Sequence, residues 1–201
     1  MDNKLRILAR LENQDAFLKA KIRSGHFQEW QVTALDQLGH PLFGDGTRKF
    51  NWSDWDDRKN YLRSLPVILI KQFAIACAEH VLPICTKAFP DDHRPVEAIQ
   101  AAKDYLAGKI TLELLMEKGW AAWEARCAAM AQAAVGAADA ARAAWLAGMA
   151  NWVIGNARAS RPADRIAASA SEVAKEAAAS SAEYEWQTQE LTRMILTHVA
   201  H

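Results

Sequence analysis

The chain has no net charge to offer: 24 basic residues balance 24 acidic ones across 201 residues. A dedicated nucleic-acid binder needs a concentrated basic surface to neutralise phosphates, so that class is disfavoured. No long run of one charge sign appears either. Long apolar runs are also missing. The longest uncharged stretch lies between Arg142 and Arg158, is mostly Ala and Gly, and falls short of the roughly 20 apolar residues a bilayer crossing needs. The charged start, Met1-Asp2-Asn3-Lys4, is unlike a secretory signal. The expectation is a cytoplasmic protein without a membrane partner. Only three cysteines occur, Cys77, Cys85 and Cys127. On one helix, at a rise of about 1.5 Å per residue, Cys77 and Cys85 stand about 12 Å apart, beyond bridging distance. Buried reduced thiols are expected. Phosphate-cradling glycine loops, nucleophile elbows and metalloprotease helices are all missing.

What is present is helical periodicity in a chain that is 51% hydrophobic. Leu5, Leu8, Leu11, Phe17, Leu18 and Ile22 fit a first helix, ended by Ser24-Gly25. Phe27 to Leu38 fits a second, with Trp30, Ala34, Leu35 and Leu38 facing inward and Gly39-His40-Pro41 stopping it. Residues 40–53 are the least helical part, with room for a short hairpin across Asp45-Gly46. Ser53, three residues before Asp56, is placed to cap the next helix, which runs to about Arg63. Val67 to Lys87 is apolar on more than one face, the pattern of a central helix, and Pro83 is expected to kink or end it.

Pro90-Asp91-Asp92-His93-Arg94-Pro95 reads as a corner, with Pro95 in the first turn of a helix that Gly108 closes. Thr111 opens a long helix through Trp123. From Ala121 to Ala182 the composition turns to alanine, which has the highest helix propensity and little bulk. Trp145, Met149 and Trp152 share one side; Ala144, Gly148, Asn151 and Gly155 share another, where two backbones can approach closely. Ser160-Arg161-Pro162 marks a break. Ile166, Ala170, Val173 and Ala177 form a further stripe, and Leu191, Ile195 and Val199 a last one. The expected fold is all-α: one domain over residues 1–201, a multi-helix bundle of about seven to nine helices, with residues 1–65 as a subregion of distinct composition.

Each candidate site also has a plain structural role open to it. Cys77, His80 and Cys85 have no second Cys/His pair to complete four ligands and are read as partly buried polar side chains, with no metal or cofactor expected. Glu79, Asp91, Asp92 and His93 are acid–base candidates. The favoured reading has the aspartates capping a helix and pairing with Arg94, and the alternative is an enzyme pocket near Glu79, Asp91 and His93. His198 and His201 are expected in solvent. Phe43, Phe50, Trp52 and Trp55 lie among Asp54, Asp56 and Asp57, a combination of aromatic anchors and charged rim used by protein interfaces. They are the candidate contact face for a basic partner, against the plainer reading that the rings plug one end of the bundle.

The run Cys77-Ala78-Glu79-His80-Val81-Leu82-Pro83, then Pro90 to Pro95, then Ala98-Ile99 resembles the Imm5-like immunity family of bacterial polymorphic toxin systems. Ala107-Gly108-Lys109-Ile110-Thr111 resembles that family's next helix break. The likeness is carried by about residues 73–111 and is compositional over 121–182. It implies a protein that neutralises a cognate toxin by binding it, without catalysis. Its motif residues Glu79, Pro90, Asp91, Asp92, Arg94 and Pro95 are read as structural, with a Glu79–Arg94 pair expected to tie the central helix to the corner. A phage or mobile-element inhibitor of a host defence complex, resembling an anti-CRISPR protein, is the alternative binding role. Self-association stays open.

Overall fold

A computed structural model describes residues 27–40, 43, 46–155, 163–179 and 182–198. The expected helix over Leu5 to Ile22, the hairpin at Asp45, the break at Ser160 to Pro162 and Val199 lie outside them. Among the described residues there are eight helices and no strand, so the all-α expectation holds. They are α1 (Glu29–Gln37), α2 (Trp55–Arg63), α3 (Val67–Ala88), α4 (Arg94–Leu106), α5 (Leu112–Ala131), α6 (Val135–Gly155), α7 (Ala163–Ala178) and α8 (Ala182–Thr197). By contact the chain divides into one unit of residues 1–51 with 192–201 and a second of residues 52–191.

In the first unit, α1 buries Ala34, Leu35 and Leu38 as its periodicity requires. Gln31, also buried, donates from Nε2 to the carbonyls of Ile195 (2.8 Å) and His198 (3.2 Å). Those acceptors lie at and just past the end of α8, where carbonyls run short of helical partners. Gly39 ends the α1 turn at a φ of 79°, and a Cβ there would stand 2.7 Å from the Arg48 nitrogen. Only glycine fits both constraints.

In the second unit, α6 packs against α3, α4, α5 and α7. Ala137, Ala138, Ala140, Ala141, Ala143, Ala144, Ala147 and Ala150 are each at most 3% exposed. A helix buried on nearly every side is possible with such small side chains because neighbours on all sides can come close. The approach is tightest at α5: a Cβ added to Gly148 would meet Gly119 Cα and Leu115 Cδ1, each at 3.9 Å. The centre of the unit is therefore α6, and α3, expected there for its bulk, packs beside it on α6, α7 and α4. By length and composition α3 also passes for a membrane crossing. Its Lys71, Glu79 and Lys87 hid this from a search for uncharged runs. Leu69, Ile70, Phe73, Ala74 and Ala78 on it are buried among the helices.

Local expectations fare unevenly. Thr111 caps α5 by accepting from Leu114 N, and Pro95 sits in the first turn of α4. Pro83 does not end the helix: it lies inside α3, which runs on to Ala88. Its missing N–H cannot donate to the carbonyl four residues back, which belongs to the exposed residue Glu79. The cap of α2 is Asp54, accepting from Asp57 N at 3.0 Å, one residue beyond the expected Ser53.

Replacing Gly148 by leucine forces extra methylenes into the α5–α6 approach. It is expected to cost about 1–3 kcal/mol and to lower the thermal midpoint by several degrees, while Gly148→Ala, making ordinary contacts, stays near wild type. Equal midpoints for the leucine variant and wild type in a calorimetric scan would contradict this packing.

Candidate partner-binding site

The acidic start of α2 is built from its own capping needs. Asp54 supplies the cap, and Asp56 pairs with Lys59 one turn on, so both carboxylates act at the positive end of the helix dipole. That ion pair holds Asp56 below the usual carboxylate range. Trp55 projects from this turn, 39% exposed, with the Arg58 guanidinium 5.8 Å from its ring centre. Trp52 differs from the other rings of the expected contact face. It is 2% exposed, meets Tyr61 and Phe73 edge-on at 5.9 Å, and donates from Nε1 to Gln187 Oε1 at 3.2 Å. Trp52 is thus a core residue and cannot anchor a partner. Phe43 and Phe50 belong to the first unit, where Phe43 stacks edge-on against Phe27 and His40. The exposed patch in the second unit comprises Asp54, Trp55 and Asp56, with Asp57 half-buried.

Behind Trp55 runs a buried polar network. Arg58, fully buried, donates to the Trp52 carbonyl (2.8 Å) and to Glu172 Oε2 (2.5 Å), which also accepts from the Tyr184 hydroxyl (2.6 Å). Burial pushes the Glu172 carboxyl up, but the Tyr184 hydroxyl and the Arg58 charge outweigh it and hold the group below its ordinary value. Gln187 accepts from Trp52 and Ser171 and donates to the Ser171 carbonyl and to buried Glu183. Glu183 Oε2 lies 3.1 Å from His80 Nε2, whose ring stacks on Trp186 at 3.7 Å. Residues 52–58 were legible as aromatic and acidic, but Glu172, Ser171, Glu183 and Gln187 were not, because nothing in their spacing marks them as partners.

The corner resolves the motif residues. Asp92 accepts from the Arg94 backbone N (3.2 Å) and, two-pronged, from its Nε (2.9 Å) and Nη2 (2.7 Å). The Arg94 hydrogen bond holds the Asp92 carboxyl low, and Asp92 in turn holds the guanidinium charged. The expected Glu79–Arg94 pair does not form. Glu79 reaches Lys103 on α4 instead, and both side chains are more than 40% exposed. The reason is reach: Arg94 is already committed to its near neighbour Asp92. Asp91, His93 and Pro90 line an open depression of about 610 Å³ with Phe89 and Glu97. Glu79 is not among its lining residues, so the proposed catalytic trio is not brought together. Cys77 and Cys85 are buried, and burial pushes both thiols up; Cys127 is exposed, against expectation, because it lies beyond the buried face of α5. No three potential metal ligands converge among the described residues.

One exposed feature went unread in the sequence. Trp120, 52% exposed, and Trp123 rest against Trp145 at 6.5 and 4.8 Å, with the Arg126 guanidinium 4.6 Å from the Trp123 ring centre. Composition alone hides it, because tryptophan is on average a highly buried residue.

A family model described as "Imm-5 like putative immunity protein" matches residues 62–194. The chain belongs to that family. The match takes in α3 to α7 whole, the end of α2 and most of α8, well beyond the 73–111 stretch that carried the resemblance. Within this immunity family chain, Asp54 to Asp57 precede the matched segment, while Glu79, the Asp92–Arg94 corner and the tryptophan cluster lie inside it. No curated protein and no solved structure matches the chain.

Three substitutions separate the ion pairs. Glu79→Ala removes an exposed pair and is expected to cost about 0–1 kcal/mol, not the loss a buried pair would show. Asp92→Asn is expected to cost about 1 kcal/mol near neutral pH. Because the folded Asp92 value is depressed, its contribution is present above the unfolded-state value and is lost as pH falls through the folded one. Urea midpoints of Asp92→Asn and wild type should therefore converge in acid, and a gap that persists there would contradict the pairing. Glu172→Gln leaves Arg58 buried without its carboxylate and should cost about 1.5–3 kcal/mol, read from the same urea titration.

Proposed function

We propose that the chain is a non-catalytic immunity protein that binds a cognate toxin and blocks it. The observation that carries this reading is the family match over residues 62–194. The corner supports it from the chemical side: its best-placed carboxylate, Asp92, is spent on Arg94, and Glu79 is spent on Lys103. A general acid–base pair needs two such groups converging on a substrate. A toxin is favoured over a defence complex as the partner because the family description names immunity. The expected setting is the cytoplasm, where a toxin entering or made in the cell would be met.

The contact face proposed for the toxin is the start of α2. Trp55 is an amphipathic ring held above Arg58, and Asp54, Asp56 and Asp57 give it an acidic rim. A basic toxin surface fits such a patch: charge complementarity steers encounter, and the ring supplies the desolvated anchor.

The test is co-expression with the toxin encoded at the same locus, with growth and binding affinity as readouts. The wild-type chain is expected to restore growth. Trp55→Ala is expected to weaken binding about 30-fold, as loss of a 2 kcal/mol anchor would, with an unfolding midpoint near wild type. If the wild-type chain neither binds nor neutralises the toxin, the immunity reading fails. If Trp55→Ala binds as tightly as wild type, only this contact face fails.

A further inference from the structure

The face of α5 turned from the core carries a second pattern. Met116, Trp120, Trp123, Cys127 and Met130 follow one another at steps of four, three, four and three residues. That is the spacing of a heptad seam, the row one helix offers to another. The described residues leave the row uncovered: Trp120 is 52% exposed, Met130 45%, Cys127 is exposed, and Met116 and Trp123 are half-buried. The buried face of the same helix runs through Leu115, Gly119, Ala122, Ala125 and Ala129, so the exposed row is a separate stripe beside it. Large apolar side chains in an uncovered row are what a partner site leaves on a protein surface.

The stripe leans on its neighbour and has an acidic flank on one side, with the Arg126 guanidinium held over the Trp123 ring on the other. Trp120 and Trp123 lean on Trp145 of α6, so little side-chain freedom remains to be lost on docking. At about 100° of turn per residue, Glu113, Glu117 and Glu124 fall together along the flank away from the core, all of them exposed. Glu113 and Glu117 make no ion pair among the described residues, and the nearest cation to Glu124 is Arg94 Nη1 at 3.9 Å.

We infer that this stripe of α5 is a docking surface for a helix of the partner protein, one that presents apolar side chains with lysine or arginine beside them. The acidic flank selects the basic helix. A second copy of this chain fits less well. Paired antiparallel on the same seam, it would set Glu124 against Glu124; paired parallel, it would set Glu124 against Gly119, which brings no counter-charge. The surface rests on the toxin-binding reading for its biological partner, while its chemistry can be tested without the toxin.

Cys127 sits within the stripe, and Cys77 and Cys85 are buried, so alkylation of the folded full-length chain reports on this surface. The probe is a synthetic helical peptide with leucine at heptad seam positions and lysine beside them; its control carries glutamate in place of lysine. The lysine peptide is expected to slow alkylation by iodoacetamide about tenfold, equivalent to about 1.4 kcal/mol, and the glutamate peptide to leave the rate unchanged. Trp120→Ala, a change at a half-exposed ring, is expected to abolish the protection while circular dichroism stays that of wild type. Equal protection by both peptides, or by neither, would overturn the inference. Protection that grows with protein concentration alone, with a dimer in sedimentation, would overturn it in favour of a second copy. If the chain neutralises its toxin and neither peptide slows alkylation, the immunity reading stands and this surface falls. If the lysine peptide protects and no toxin is neutralised, the surface stands and the immunity reading falls.

Discussion

Four helices crowd onto α6 because α6 has almost no bulk to keep them away. Alanine on nearly every face, with Gly148 against Gly119 at the tightest point, lets backbones approach within the reach of dispersion contacts that larger side chains would prevent. The gain is dense packing with little side-chain entropy lost, since alanine has no rotamers to freeze. The cost is sensitivity. A helix packed this way has no side chains that can swing aside, so volume added to it must be absorbed by moving a backbone.

That constraint assigns tasks to the rest of the second unit. Bulk is supplied from outside the alanine helix: Phe73, Leu69 and Val81 from α3, Leu115 from α5, Val173 and Ile166 from α7. Specificity of arrangement is supplied by polar groups, since alanine surfaces slide easily past one another. Arg58, Glu172, Ser171, Glu183 and Gln187 link α2, α7 and α8, with His80 joining from α3. Buried groups of this kind are costly when unpaired, so they penalise any register but one. The surfaces that neither task consumes, the start of α2 and the outer stripe of α5, are the ones proposed for binding.

How far the sequence foretold this depends on the range of the interaction. Helix positions follow from periodicity and punctuation within a few residues, and Thr111, Pro95 and Gly39 do what their chemistry dictates. The family corner was legible for the same reason: Asp92 and Arg94 are two residues apart and meet locally. The misreadings at the candidate sites are matters of which neighbour a side chain meets. Trp52 and Trp55 look alike in sequence, yet Gln187, 135 residues on, draws one inside while the other stays on the surface. Glu79 was assigned Arg94 when Lys103 was the cation within reach. The Trp120 stripe was missed because composition says only that tryptophan prefers burial, whereas exposure depends on how many neighbours a helix has on each side.

The claim that the unit is organised around α6 is tested most directly by amide hydrogen exchange of the free chain, resolved by helix. Amides of α6 between 137 and 151 should be the slowest to exchange, opening only with global unfolding and together with those of α3 facing them. Fast local exchange in α6, with α3 still protected, would contradict the account and return the centre of the fold to the bulky helix.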